Sequence, residues 1–194
     1  MRKFNPDFLK VPREPKYDEV TEKWKQYQEM HLEIGAGAGL HPIQFAKAHS
    51  DILLIGVERT REKYESFEGR IRSHSLSNLI GVHADVVPWL YFLPHEFLFD
   101  KIWILYPNPE PGNKSQRWIN APFFSHLLER LKLGGYIEMA TNIKDYAEEV
   151  EKNAEANWGL NCTLSRYQGV GRTHFERKYL ERGEACYSMV LTRK

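Results

Sequence analysis

The residues best placed by type and spacing to do chemistry are Leu32-Glu33-Ile34-Gly35-Ala36-Gly37-Ala38-Gly39. Three alternating glycines follow an apolar run and precede a helical pattern. Glycine permits a turn with positive φ and lets a ligand approach the backbone closely. The helix beyond it offers unpaired N–H groups and a partial positive charge. Glu58 lies 19 residues past Gly39 and closes a second apolar run, followed by Arg59. A carboxylate there accepts hydrogen bonds from both hydroxyls of a ribose. Asp85 closes a third run, where an adenine edge would lie. Glu33, Gly35, Gly37, Gly39, Glu58, Arg59 and Asp85 are therefore candidates for holding a nucleoside-type cofactor. The pattern is G-x-G-x-G, not G-x-G-x-x-G, and the absence of G-x-x-x-x-G-K-[ST] excludes a P-loop. His31, His83 and His174 lack metal-ligand spacing, and Cys162 and Cys186 form no zinc pattern, so no metal is expected.

A second group begins after the fourth apolar run: Tyr106-Pro107-Asn108-Pro109-Glu110-Pro111, then Lys114, Arg117 and Trp118. Three prolines within five residues stiffen the backbone, which suits a loop that positions a planar substrate. Lys114, Arg117, Arg172, Arg177 and Lys178 are candidate phosphate contacts. Tyr106 and Trp118 are candidates to stack on a base. Asn108 also reads as a turn-former, and Asn142 as a helix N-cap.

Alternating strands and helices must position these groups. Strands are expected at 30–34, 51–58, 77–85, 99–107 and 134–141. Helices are expected at 18–30, 40–49, 60–74, 120–131 (capped by Asn120 and closed by Gly134-Gly135) and 145–157. A short connection runs from Pro88 to Pro94. Two further strands, 162–167 and 185–193, flank a loop containing glycine and arginine. This rhythm predicts an α/β fold with a largely parallel sheet and helices on both faces. The last two strands pair antiparallel at the sheet edge.

The chain has 194 residues, 27 Lys+Arg against 26 Asp+Glu and a net charge of +1. That length fits one domain, 30–194, preceded by an arm with a short helix, 1–29. No apolar run spans a bilayer, and the N-terminus lacks the apolar core of a secretory signal, so no membrane is expected and a cytoplasmic setting is. The near-zero charge excludes a globally basic nucleic-acid binder. It conceals segregation: residues 166–194 hold seven bases against three acids, and 142–161 hold five acids against two bases.

Glu33-x-Gly35-x-Gly37-x-Gly39, with an acid ending strand two, resembles motifs I and II of class I S-adenosylmethionine-dependent methyltransferases. The resemblance implies S-adenosylmethionine as cofactor and a Rossmann-like seven-stranded sheet, mostly parallel with its last strand antiparallel. From about Leu32 onward, the layout resembles bacterial tRNA (guanine-N7)-methyltransferases. That family typically reads F-P-D-P-W-P-K-K-R-H after strand four, A-T-D after strand five, then T-K-F-E and R-G. Here the counterparts are Tyr106-Pro107-Asn108-Pro109, Ala140-Thr141-Asn142, Thr173-His174-Phe175-Glu176 and Arg182-Gly183. The resemblance implies tRNA as partner and Asn108 in the catalytic position. It implies substrate binding by Pro107, Asn108, Lys114, Arg117, Thr141, Asn142, Thr173, Phe175 and Glu176. As a bare residue, Glu176 reads as a solvated charge. Asparagine replaces both family aspartates, and most of the basic run is gone. A related methyltransferase acting on a small molecule or another base, and a non-catalytic cofactor-binding relative, are the alternatives. Either a monomer or a homodimer is compatible with the sequence.

Overall fold

Three apolar runs become adjacent strands: β1 (Glu29–Ile34), β2 (Ile52–Glu58) and β3 (Leu79–His83). In this computed structural model, which describes residues 4–193, they pair in parallel, with Leu32 opposite Ile55 and Ile55 opposite Ile80. Leu53, Leu54 and Ile55 are wholly buried in succession, as a strand covered on both faces requires. Four strands follow: β4 (Phe99–Leu105), β5 (Leu131–Thr141), β6 (Leu160–Arg166) and β7 (Tyr187–Arg193). The sheet order is β3-β2-β1-β4-β5-β7-β6. Strand β7 runs antiparallel to both neighbours, with Met139 opposite Met189 and Leu164 opposite Met189. The expected seven-stranded, mostly parallel sheet is the one observed. Among the described residues, no helix is long and apolar enough to cross a membrane.

The chain divides into two compact units, residues 6–102 and residues 103–193 with residues 4 and 5. In the first unit, helix α1 (Tyr17–Trp24) is shorter than expected. Strand β1 claims the chain from Glu29, and α1 seats Val20 in the core. Helices α2 (Leu40–Ala48) and α3 (Arg61–Ser73) fall where the pattern places them. The Pro88 connection is instead a helix, α4 (Val86–Phe92), capped by Asp85, whose Oδ1 accepts from Val87 N–H at 2.9 Å. Pro88 sits in the first turn, where its missing N–H breaks no helical bond.

In the second unit, the expected helix at 120–131 shrinks to α5 (Phe124–Glu129). Ala121 precedes Pro122 and is extended, with ψ 137°, because the proline ring disfavours helical backbone before it. Asn120 therefore caps nothing there, and two short 3₁₀ turns occupy 114–116 and 118–120. Gly134-Gly135 lies inside β5. Helix α6 (Lys144–Trp158) matches expectation. The glycine- and arginine-containing loop contains a helix, α7 (His174–Glu181). Thr173 caps it, its Oγ1 accepting from Glu176 N–H at 3.0 Å.

Phe67 of α3 fixes the packing beside the glycine turn. It is fully buried, and a Cβ added at Gly39 or Gly56 would overlap its ring. Gly39 also holds φ +86°. Left-handed strain of roughly 1–2 kcal/mol and overpacking of roughly 1–3 kcal/mol then act on Gly39→Ala. The variant is expected to lose about 2–5 kcal/mol, lowering Tm by about 5–12 °C. Thermal denaturation followed by circular dichroism checks this, and an unchanged Tm contradicts it.

Candidate functional site

The turn between β1 and α2 is built from backbone conformations that glycine permits. Gly35, Gly37 and Gly39 have φ of +77°, +59° and +86°. Around Gly35 and Gly37, an added Cβ would meet nothing within 4 Å, so the backbone opens onto space a ligand can enter. Glu58, ending β2, is buried, and its Oε2 accepts from Gly37 N–H at 2.9 Å. Its Oε1 accepts from Thr60 N–H at 2.7 Å. The carboxylate thus ties the glycine turn to the start of α3. Each oxygen keeps a lone pair for a further donor such as a ribose hydroxyl. Glu33 is also buried, with Oε2 hydrogen-bonded to His41 Nδ1 at 2.7 Å. His41 escaped the sequence reading; a histidine in the first turn after a buried acid is the signal that could have found it.

Asp85 is exposed, and capping α4 uses one of its oxygens. The Arg59 side chain is exposed, while its carbonyl lies 3.1 Å from His83 Nε2. The open backbone and the buried acids fit an adenosine-type cofactor. Among the described residues, no group of His, Cys, Asp or Glu is placed to hold a metal.

The second unit carries the loop after β4. Tyr106 N–H donates to the Ala140 carbonyl at 2.9 Å, and Tyr106 and Glu110 adopt φ of 53° and 45°. Left-handed backbone at non-glycine residues costs energy and persists where the surroundings over-determine it. Here the Tyr106 hydroxyl donates to Glu176 Oε1 at 2.9 Å. Burial, the Cys186 thiol and the Glu176 carboxylate push the Tyr106 pKa far up, so the hydroxyl stays a donor. Asn108 is exposed, and its Oδ1 is only 3.4 Å from Glu110 N, a long turn contact that leaves the amide accessible. Pro107 and Pro109 are half-buried on either side.

Glu176 is not solvated. It is fully buried, and it accepts from Arg172 N–H at 2.6 Å, Arg172 Nε at 2.9 Å and Arg172 Nη2 at 2.7 Å. Arg172 Nη1 also donates to Glu138 Oε1 at 2.5 Å. Burial alone would lower the Arg172 pKa, but hydrogen bonding and charge from Glu176, then the charge of Glu138, outweigh it and raise it. Arg172, expected at a phosphate, is spent inside the protein. Glu138 went unnoticed in the sequence; an acid inside the apolar run Tyr136-Ile137-Glu138-Met139-Ala140 was its signal.

Arg117 is likewise turned inward, with its side chain 5% exposed and paired with Glu149. It does not face solvent where a phosphate would approach. Lys114 is exposed, 3.8 Å from Glu149 Oε2. Thr141 is buried, and its Oγ1 accepts from Ile143 N–H at 3.2 Å. Asn142 does not cap α6, because the cap position falls on Ile143. Its Nδ2 donates to Glu184 Oε2 at 3.2 Å. Since a carboxylate only accepts, this bond fixes the amide orientation and leaves Oδ1 as the acceptor. Phe175 projects from α7 and is 53% exposed, well above a core aromatic. Trp118 is half-buried, its ring centroid 6.4 Å from that of Phe123.

A family model described as "Putative methyltransferase" matches residues 27–189. The tRNA (guanine-N(7)-)-methyltransferase of Nitrosomonas europaea is 34% identical over 168 residues, covering 84% of this chain and 75% of that one. The enzyme of the same name from Nitrosococcus oceani is 31% identical over 163 residues, covering 81% and 69%. Among solved structures, the 16S rRNA methyltransferase KamB superposes with a TM-score of 0.69 at 15% identity over the full length of both chains, a likeness of fold. With one family model covering most of its length and relatives this similar over most of theirs, the chain belongs to the tRNA (guanine-N7)-methyltransferase family.

Proposed function

We propose that this S-adenosylmethionine-dependent methyltransferase acts in the cytoplasm on N7 of a guanine in tRNA. The observation that carries the reading is the open glycine turn of one unit, braced by Glu58; the other unit, considered by itself, carries a stiff loop exposing Asn108. The family membership supplies the substrate class. Bound S-adenosylmethionine supplies an electrophilic methyl group on a cationic sulfur. Gly35 and Gly37 leave it room, and Glu58 offers acceptors to its ribose.

Guanine N7 already holds an in-plane lone pair, so no proton is abstracted before it attacks the methyl carbon. S-adenosylmethionine held by Gly35, Gly37 and Glu58 would supply the methyl group, and its transfer would leave the base carrying the positive charge that the sulfur brought. The chain's work is alignment and the exclusion of water. Asn108 Oδ1 and Asn142 Oδ1 are acceptors suited to the N–H donors on the guanine edge. Glu184 holds the Asn142 amide in that orientation. It also places a carboxylate beside the position where the family's aspartate is replaced. Such charge offsets the cation that develops on the base.

Incubation with labelled cofactor and tRNA lacking N7-methylguanosine, followed by nucleoside analysis, is expected to yield N7-methylguanosine. Absence of label despite intact cofactor binding overturns the substrate. Glu58→Ala removes acceptors for two backbone donors and the ribose. It is expected to raise the cofactor KM about 10- to 100-fold, more than it lowers kcat. Steady-state kinetics measure both constants, and an equal loss in kcat alone contradicts the assignment. Asn108→Asp restores charge beside the base and is expected to keep or raise kcat on the same tRNA. A loss of about tenfold or more would show that Asn108 is tuned to another substrate edge.

A further inference from the structure

Arg117 is buried by one face of α6. Tyr146, Glu149 and Asn153 are spaced three and then four residues apart, so the helix aligns them. All three meet the segment that follows the strand-four turn. Arg117 Nε donates to the Pro109 carbonyl at 2.7 Å, and Arg117 Nη1 donates to Glu149 Oε2. The guanidinium sits 4.5 Å from the centroid of the fully buried Tyr146 ring. Glu149 Oε1 accepts from Asn120 Nδ2 at 2.6 Å, and Asn120 Nδ2 also donates to the Lys114 carbonyl at 2.8 Å. Asn153 Nδ2 donates to Asn120 Oδ1 at 2.7 Å.

Glu149 is the hub of this arrangement. Its two oxygens hold two side chains, and each of those grips a loop carbonyl, Pro109 at one end and Lys114 at the other. The Glu149 side chain is 16% exposed, so water and salt screen the pair weakly. A planar guanidinium is needed because it must bond a carboxylate and a carbonyl in fixed directions while lying against a ring. A lysine ammonium cannot do all three.

We propose that Glu149 is a positioning residue for methyl transfer. Through Arg117 and Asn120 it fixes the backbone of residues 109–114 and so the presentation of Asn108. The proposal rests on the reading that this loop presents the target base. With most of the family's basic run absent, fixed geometry, rather than charge on the loop, aligns the base. Small misplacement of a reacting group lowers the rate steeply.

The test compares wild type with Glu149→Gln, Glu149→Ala and Arg117→Lys, using exposed Glu148→Gln as a control. Three quantities are measured: kinetics on tRNA lacking N7-methylguanosine, calorimetric binding of S-adenosylhomocysteine, and amide hydrogen exchange over residues 107–120. Both Glu149 variants and Arg117→Lys are expected to lower kcat by at least about tenfold, with cofactor affinity kept within about twofold. Exchange in 107–120 should rise by at least about tenfold while β5 is unchanged. Glu149→Gln keeps the size and one acceptor, so it stays informative if Glu149→Ala folds poorly.

Wild-type kinetics and exchange in both Glu149 variants overturn the proposal. So does an equal rise in exchange across β5 and the loop, which marks general destabilisation. If wild type leaves tRNA unmodified, the substrate reading fails. The exchange comparison then still decides whether Glu149 holds the loop.

Discussion

The hydrogen bond from Gly37 N–H to Glu58 Oε2 is the contact on which the glycine turn rests. Gly35 and Ala36 N–H donate to the Val57 carbonyl of β2 at 2.9 and 3.1 Å, whereas Gly37 N–H takes a side-chain acceptor, and amides left unpaired inside a protein are costly. The acid ending β2 solves this from outside the turn while reaching Thr60 N–H with its other oxygen. The same device recurs across the chain. Asp85 takes Val87 N–H, Thr141 takes Ile143 N–H, and Glu176 takes Arg172 N–H. Each was singled out in the sequence as a ligand contact, and each first serves the backbone of its own neighbours.

This double use changes how the charge of the protein is understood. Two of the five candidate phosphate contacts, Arg117 and Arg172, are enclosed by acids from α6, α7 and β5. A net charge near zero is partly the count of these internal pairs. Removing one partner of such a pair leaves an isolated buried charge, which costs far more than the pair contributes. The arginines and their acids must therefore be kept or lost together. The gain is a loop whose backbone, left-handed at Tyr106 and Glu110, is held from two sides.

The legibility of the sequence followed the range of the interactions. Strands β1 to β3 and helices α2, α3 and α6 were readable because each carries its own apolar period or contiguous apolar run. Helix α4 was hidden by Pro88, which breaks a helix interior but fits a first turn. Helix α5 is shorter than its apolar pattern because Pro122 keeps Ala121 extended. Helix α7 carried a visible signal in Thr173-x-x-Glu176, the spacing of a capping box. There the glutamate turns instead to the Arg172 backbone and side chain.

By itself the sequence determined the order of the strands, the glycine turn with its acid and the family, because these are written in local spacing and in motif order. It could not say which way a charged side chain points. Arg117 and Lys114 look equivalent along the chain, yet one is packed against Tyr146 and Glu149 and the other faces solvent. That distinction depends on residues some thirty positions away becoming neighbours, and only the tertiary structure supplies them. The same holds for Glu176, whose charge is tolerated in the interior because Arg172 and Tyr106 surround it with donors.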